Sequence, residues 1–330
     1  MAAAVTTLVD GLARGERRPL ARLLTLVEDG TPEQLREVVG ALHPLAGNAR
    51  VLGISGSPGV GKSTLTDGVA STLRAEGRTV AVLAVDPSSP FSGGALLGDR
   101  VRMQGHHADP GVFIRSMAAR GHLGGLSFAT PQAVLVLDAA GFDDVIIETV
   151  GVGQSEVEIA ATADTTVIAL APGMGDGIQA AKAGILEVAD VFVINKADNA
   201  GAGKLESELR GMLELGHATA PAGDEDAPGW SPPILRTVAV RSEGIAELVA
   251  AIDAHGEHLA RAGAGADRRL ARARHLVREL ALESTRRTFA QLEAGEDGLL
   301  DALATRVVAR ELDPYRAADE LLAASRAAGR

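Results

Sequence analysis

The run Gly56-Ser57-Pro58-Gly59-Val60-Gly61-Lys62-Ser63 fits G-x-x-x-x-G-K-[ST]. It lies between an apolar, strand-like stretch, Val51-Leu52-Gly53-Ile54-Ser55, and helix-compatible residues from Lys62 to Glu76. No other feature constrains the fold as strongly. Strand, glycine loop and helix in that order make a phosphate-binding loop, because glycines let backbone N–H groups curl around phosphates while the helix start presents its positive dipole end. The contacts to phosphate come from Gly56, Ser57, Pro58, Gly59, Val60, Gly61, Lys62, Ser63 and Thr64. Lys62 reaches the β- and γ-phosphates and Ser63 offers its hydroxyl to Mg²⁺. An unliganded glycine-rich turn is the bland alternative, and the flanking elements argue against it.

The rest of the chain supplies a sheet for that loop. Apolar, β-branched runs recur at Val51–Ser55, Thr79–Val85, Val112–Ser116, Val145–Glu148, Thr165–Leu170, Val191–Ile194 and Ile234–Val240. Helix-like segments separate them, including Gln132–Ala140, Ile178–Val188, Lys204–Leu215 and Ile245–His258. Near-continuous apolar strands alternating with helices predict an α/β fold with a mostly parallel sheet covered on both faces. Short amphipathic helices precede it, with Leu20, Leu23, Leu24 and Val27 at helical spacing and a cap at Thr31-Pro32-Glu33. Three parts are expected: a helical extension over 1–48, a phosphate-loop domain over 49–260, and a helical arm over 261–330. The segment Ala218–Pro233, rich in Pro, Gly and acid, reads as a surface loop.

Composition narrows the partners. With 46% hydrophobic but only 2% aromatic residues, the core must be built from Ala, Val, Leu and Ile. A net charge of −11 argues against a general nucleic-acid binder, since that affinity comes from clustered Lys and Arg. The arginines at 268, 269, 272, 274 and 278 read as a solvated helix face. The absence of cysteine excludes disulfides, thiolate metal sites and cysteine nucleophiles. No signal-like N-terminus and no apolar run of spanning length is evident, so a soluble, cytoplasmic protein with no membrane partner is expected.

A second motif selects the base. Asn195-Lys196-Ala197-Asp198 follows Val191-Phe192-Val193-Ile194, at a strand's C-terminal end, where open α/β sheets bind ligands. The Asp198 carboxylate can accept from both the ring N–H and the exocyclic amine of guanine. Adenine has no such donor pair and would leave the carboxylate unpaired. Asn195 and Lys196 hold the loop, and GTP/GDP is the expected ligand. For the switch and metal, Glu148-Thr149-Val150-Gly151 closes a buried strand. Gly151 is placed to sense the γ-phosphate, and Glu148 to act on the Mg²⁺ shell, directly or through water. Asp86 and Asp99 are further metal candidates, each with a bland reading as a turn residue or a surface ion pair. Magnesium keeps several waters, so not all three carboxylates can ligate it.

With these residues in place, the chain resembles the methylmalonyl-CoA mutase-associated GTPases, the MeaB/MMAA family (formerly ArgK/LAO transport ATPases). The resemblance rests on Gly56–Thr64, Asp86-Pro87-Ser88-Ser89, Gly98–Met103, Glu148–Glu156, Pro172–Gln179, Asn195–Asp198 and Asp313–Ala318. It implies a homodimeric GTPase of slow intrinsic turnover that gates adenosylcobalamin delivery to, and protects, an adenosylcobalamin-dependent acyl-CoA mutase. It also implies a C-terminal dimerisation arm and a third mobile segment over Gly173–Lys182, with Asp176, Gln179 and Lys182 as polar contacts. Hydrolysis would rest on Lys62, Gly151 and Mg²⁺, with Gln154 orienting water by analogy with other GTPases. No arginine finger is assigned; Arg100, Arg102, Arg115 and Arg120 are the nearby candidates. Two alternatives stay open. One is a metallochaperone GTPase of the same glutamate-bearing class, for which only His106-His107 speaks. The other is a P-loop kinase linked to amino-acid transport, against which Asp198 speaks.

Overall fold

The apolar runs pair as seven strands: β1 (Arg50–Gly56), β2 (Val80–Asp86), β3 (Val112–Ala118), β4 (Asp144–Thr149), β5 (Thr165–Leu170), β6 (Val191–Ile194) and β7 (Ile234–Arg236). Their order is β3-β2-β4-β1-β5-β6-β7 and every pairing is parallel. The computed structural model describes residues 2–86, 103–106, 108–118, 129–149, 155–173, 184–219, 229–261, 264–294 and 298–328. The chain divides into two compact units, Met1–Arg268 and Arg269–Arg330.

The helices of the first unit are α1 (Ala2–Ala13), α2 (Arg17–Asp29), α3 (Pro32–Leu42), α4 (Lys62–Ala75), α5 (Thr130–Ala139), α6 (Ser155–Ala160), α7 (Gly184–Val188), α8 (Ala202–Thr219) and α9 (Ile245–Arg261). A further helix, α10 (Ala264–Ala294), runs across the division between the units. Strand residues alternate between two cores. Leu83 and Ile147 face one that also holds Leu23, Leu24, Leu42 and Leu137 from α2, α3 and α5. Val82 and Ile146 face the other, with Leu65 and Leu73 of α4 and Leu248 and Ile252 of α9. Helices therefore cover both faces, which is why β4 is buried at every position.

The N-terminal helices are part of this core. Thr31 caps α3 in a reciprocal capping box with Gln34, behind Pro32 at the first turn. Arg17 of α2 donates to the carbonyls of Asp109, Pro110 and Val112, at the entry to β3. Arg115, weighed above as a source of catalytic charge, donates instead to Glu28 at 2.5 Å and to Thr25, both on α2. The last strand is shorter than its apolar run implies. β7 ends at Arg236, and Thr237–Gly244 forms a tight turn in which Val238 and Glu243 bridge each other.

In the second unit, α11 (Leu299–Val308) packs on α12 (Pro314–Ala328), burying Leu303 and Ala317. Arg306 pairs with Glu320 at 2.7 Å across them. Val277, Val308 and Tyr315 are left largely exposed. No helix among the described residues is long and apolar enough to cross a membrane.

At the sheet's N-terminal end lies a buried charge cluster. Asp144 accepts from Arg50 at 2.8 Å and from Arg78 at 2.7 Å, and both arginines also bond Asp253. Burial pushes the Asp144 carboxyl above its usual range, against the pull of the two arginines. Removing one member of such a cluster leaves part of the remaining charge uncompensated. Asp144→Ala is expected to cost about 3 kcal/mol, since Asp253 still partners both arginines. Urea unfolding measures it, and a loss below about 0.5 kcal/mol would show that the cluster is energetically neutral.

Candidate functional site

β1 lies between β4 and β5, so the C-terminal ends of these strands meet where α/β sheets hold ligands. The glycine loop leaves β1 here. Gly56 has φ 145°, and a Cβ on it would stand 2.1 Å from the Ala169 carbonyl of β5. Gly61 has φ 96°, and its Cβ would meet the Asn195 amide at 2.5 Å. Neither position accepts a side chain without distortion. α4 starts directly at Lys62, which is buried, and its Nζ donates to the carbonyls of Gly56 at 2.8 Å and Ser57 at 3.1 Å. The lysine is thus curled over the loop that it would serve.

Ser63 donates to Oε1 of Glu148 at 2.6 Å, and both side chains are buried. The register that sets Ile54 opposite Glu148 brings this carboxylate beside the loop. Thr149, next on β4, donates to the Ser55 hydroxyl at 2.8 Å. A serine hydroxyl and a carboxylate oxygen side by side are hard oxygen donors, and they fit Mg²⁺, which takes few protein ligands. Asp86 is the last residue of β2, and its side chain lies outside the described residues. So do Asp99, Gly151 and Gln154, along with Arg100, Arg102, Arg120, His107, Asp176, Gln179 and Lys182. Among the described residues no group of three or more His, Cys, Asp or Glu could hold a metal ion. His106 itself contacts Ser71 and Asp67.

The Asn195-Lys196-Ala197-Asp198 segment is wired to the loop. Asn195 donates from Nδ2 to the Val60 carbonyl at 2.8 Å, and Lys196 from Nζ to the Gly59 carbonyl at 2.7 Å. Lys196 holds a left-handed backbone, φ 55°, an uncommon conformation for a residue with a side chain. On its other side, Asn195 Oδ1 accepts from the Thr237 hydroxyl and from the Ala239 N–H, both at 3.1 Å. Asp198 is partly exposed and accepts from Arg241 at 3.1 Å.

The Thr237–Gly244 turn is thus a third element of the site, and its first four residues, Thr237–Val240, belong to the run expected to be a strand. Its only signal is Ser242-Glu243-Gly244 closing an apolar run. Ser242 has φ 56° and Gly244 φ 76°, and a Cβ on Gly244 would stand 2.2 Å from the Arg236 carbonyl.

The model of the family "Methylmalonyl Co-A mutase-associated GTPase MeaB" matches residues 20–293. The chain belongs to the MeaB family. A relative from Pyrococcus abyssi, named as a GTPase, is 46% identical over 319 residues, covering 96% of each chain. GTPase ArgK of Escherichia coli is 42% identical over 245 residues, 73% of this chain and 72% of ArgK. The mitochondrial methylmalonic aciduria type A homolog of Mus musculus is 37% identical over 261 residues, 74% of this chain and 61% of that one. A solved structure titled LAO/AO transport system kinase superposes with a TM-score of 0.65 at 30% identity, covering 97% of this chain and 96% of that one. The protein is therefore a MeaB-family GTPase on the P-loop fold, as its motifs led one to expect, and guanine-nucleotide binding comes with the family.

Proposed function

We propose that this MeaB-family GTPase is a chaperone of an adenosylcobalamin-dependent acyl-CoA mutase, with methylmalonyl-CoA mutase as the first client to try. GTP binding and hydrolysis gate delivery of the cobalamin cofactor and protect the mutase. The observation that carries the nucleotide half is Asn195, which joins the glycine loop to the base-recognition segment through Val60, Thr237 and Ala239. Membership of the family supports the client half.

In this reading Lys62 exchanges its two carbonyl partners for β- and γ-phosphate oxygens, and the amides of the loop orient the phosphate chain. Ser63 and Glu148 hold Mg²⁺, which when bound neutralises charge that develops on the phosphates. Asp86 and Asp99 are the further candidates for its shell. Gly151 senses the γ-phosphate and Gln154 orients the water. The exposed Val277, Val308 and Tyr315 support a homodimer built on the helical arm over 261–330. The protein works in the cytoplasm.

With Arg115 turned to α2, intrinsic GTP turnover is expected to be slow and to rise at least tenfold with the mutase present, since an added transition-state cation is worth that and more. Phosphate release with and without methylmalonyl-CoA mutase measures this. Fast hydrolysis by the isolated protein, unchanged by any acyl-CoA mutase, overturns it.

A further inference from the structure

We infer that Arg241 is a positioning residue for base recognition, holding the Asp198 carboxylate in the orientation that reads guanine; this rests on Asp198 being the guanine acceptor. The juxtaposition is specific. Nη1 of Arg241 donates to Asp198 Oδ2 at 3.1 Å, while Nε and Nη2 fork onto the Glu243 carboxylate at 2.8 and 3.3 Å. Glu243 therefore fixes the guanidinium plane from one side, and Asp198 is met from the other. The hydrogen bonds to Glu243 are the largest cause holding the Arg241 pKa above its ordinary value, with Asp198 adding to it.

The carrier of this fork is itself built. Val238 and Glu243 exchange backbone hydrogen bonds at 3.0 and 3.3 Å, and the turn hangs from Asn195 through Thr237 and Ala239. An ordinary surface ion pair loses much of its attraction to the entropy of holding two long side chains. Here one side chain is pinned by a second carboxylate and the other is short, so less is lost.

The chemistry follows from the acceptor count. A carboxylate has about four lone-pair sites, and guanine needs two of them, one for N1–H and one for the exocyclic amine. Arg241 occupies a third. It keeps Oδ2 from rotating away and leaves the two-point contact intact. A two-point contact suffers more from a rotating carboxylate than a one-point contact does. Arg241 therefore affects the exocyclic amine more than the ring N–H, and it separates guanine from hypoxanthine, which lacks that amine.

The test is competitive displacement of a fluorescent GDP from the full chain by GDP, IDP and ADP. Arg241→Ala is expected to lower the GDP-over-IDP preference by about three- to tenfold, mostly by weakening GDP. Glu243→Gln, which leaves the arginine but loosens it, moves the ratio the same way by less. Arg241→Lys, which keeps the charge without the fork, falls between Arg241→Ala and the parent. Matching thermal melts of all three variants tie the change to the site. An unchanged GDP-to-IDP ratio in a folded Arg241→Ala protein overturns the inference alone. A parent protein that binds ADP as well as GDP overturns the reading of Asp198 beneath it.

Discussion

Lys62→Ala is expected to abolish guanine-nucleotide binding while leaving the fold and the proposed homodimer intact. The side chain is only 7% exposed, and its ammonium sits over the carbonyls of Gly56 and Ser57, at the mouth of the loop. Alanine loses the positive charge that would face two phosphates. Charge-assisted hydrogen bonds contribute about 1.5–3 kcal/mol each, so affinity should fall by about 10²–10⁴-fold. Alanine is also the best helix former, and Lys62 opens α4, so the helix itself should stay in place. Calorimetric titration with GTP and GDP reads the affinity, and light scattering the oligomeric state. Nucleotide binding within threefold of the parent would remove Lys62 from the site. If the parent protein is a dimer and the variant is not, the nucleotide site and the proposed dimerisation arm are not independent.

Asp198→Asn should change which base is bound. Asparagine keeps an acceptor oxygen for Arg241 but turns the other end of the side chain into a donor, which opposes the N–H and amine edge of guanine. Two hydrogen bonds to a charged group are lost, so GDP affinity should drop by about 10²–10⁴-fold. Xanthine carries an oxo group where guanine has its amine, so XDP should gain relative to GDP. Displacement assays with GDP, XDP and ADP measure the change. If GDP stays preferred with its affinity unaltered, base recognition lies elsewhere.

The central apolar runs were legible because a parallel strand buried on both faces, as β4 and β6 are, reads as a continuous hydrophobic stretch. The helices α2 and α9, which flank the strands in sequence, were legible because each keeps its buried apolar residues at helical spacing. The misreading at Ile234–Val240 has the same origin. Thr237-Val238-Ala239-Val240 has strand-like residues, and the Thr237 N–H still bonds the Ile194 carbonyl of β6, but the N–H groups of Val238 and Ala239 turn to Glu243 and to the Asn195 side chain. Arg115 was a candidate for catalytic charge only by its proximity in sequence. It leaves β3 toward Glu28, and nothing local to Arg115 announces a partner 87 residues upstream.

Each motif could be recognised alone because its chemistry is local. Glycine at Gly56 and Gly61, lysine at the head of α4 and a carboxylate three residues after Asn195 are requirements met within a few residues, so the sequence by itself determined the ligand class and the sheet that presents it. Tertiary structure decided how the pieces act as one site. The strand order that puts β1 between β4 and β5 brings Glu148 onto Ser63, and it brings Asn195 onto Val60 across 135 residues of chain. It also placed the Arg241–Glu243 fork against Asp198. These contacts join residues far apart in the chain, and no local periodicity encodes them. They exist only once the parallel sheet has closed around its loops.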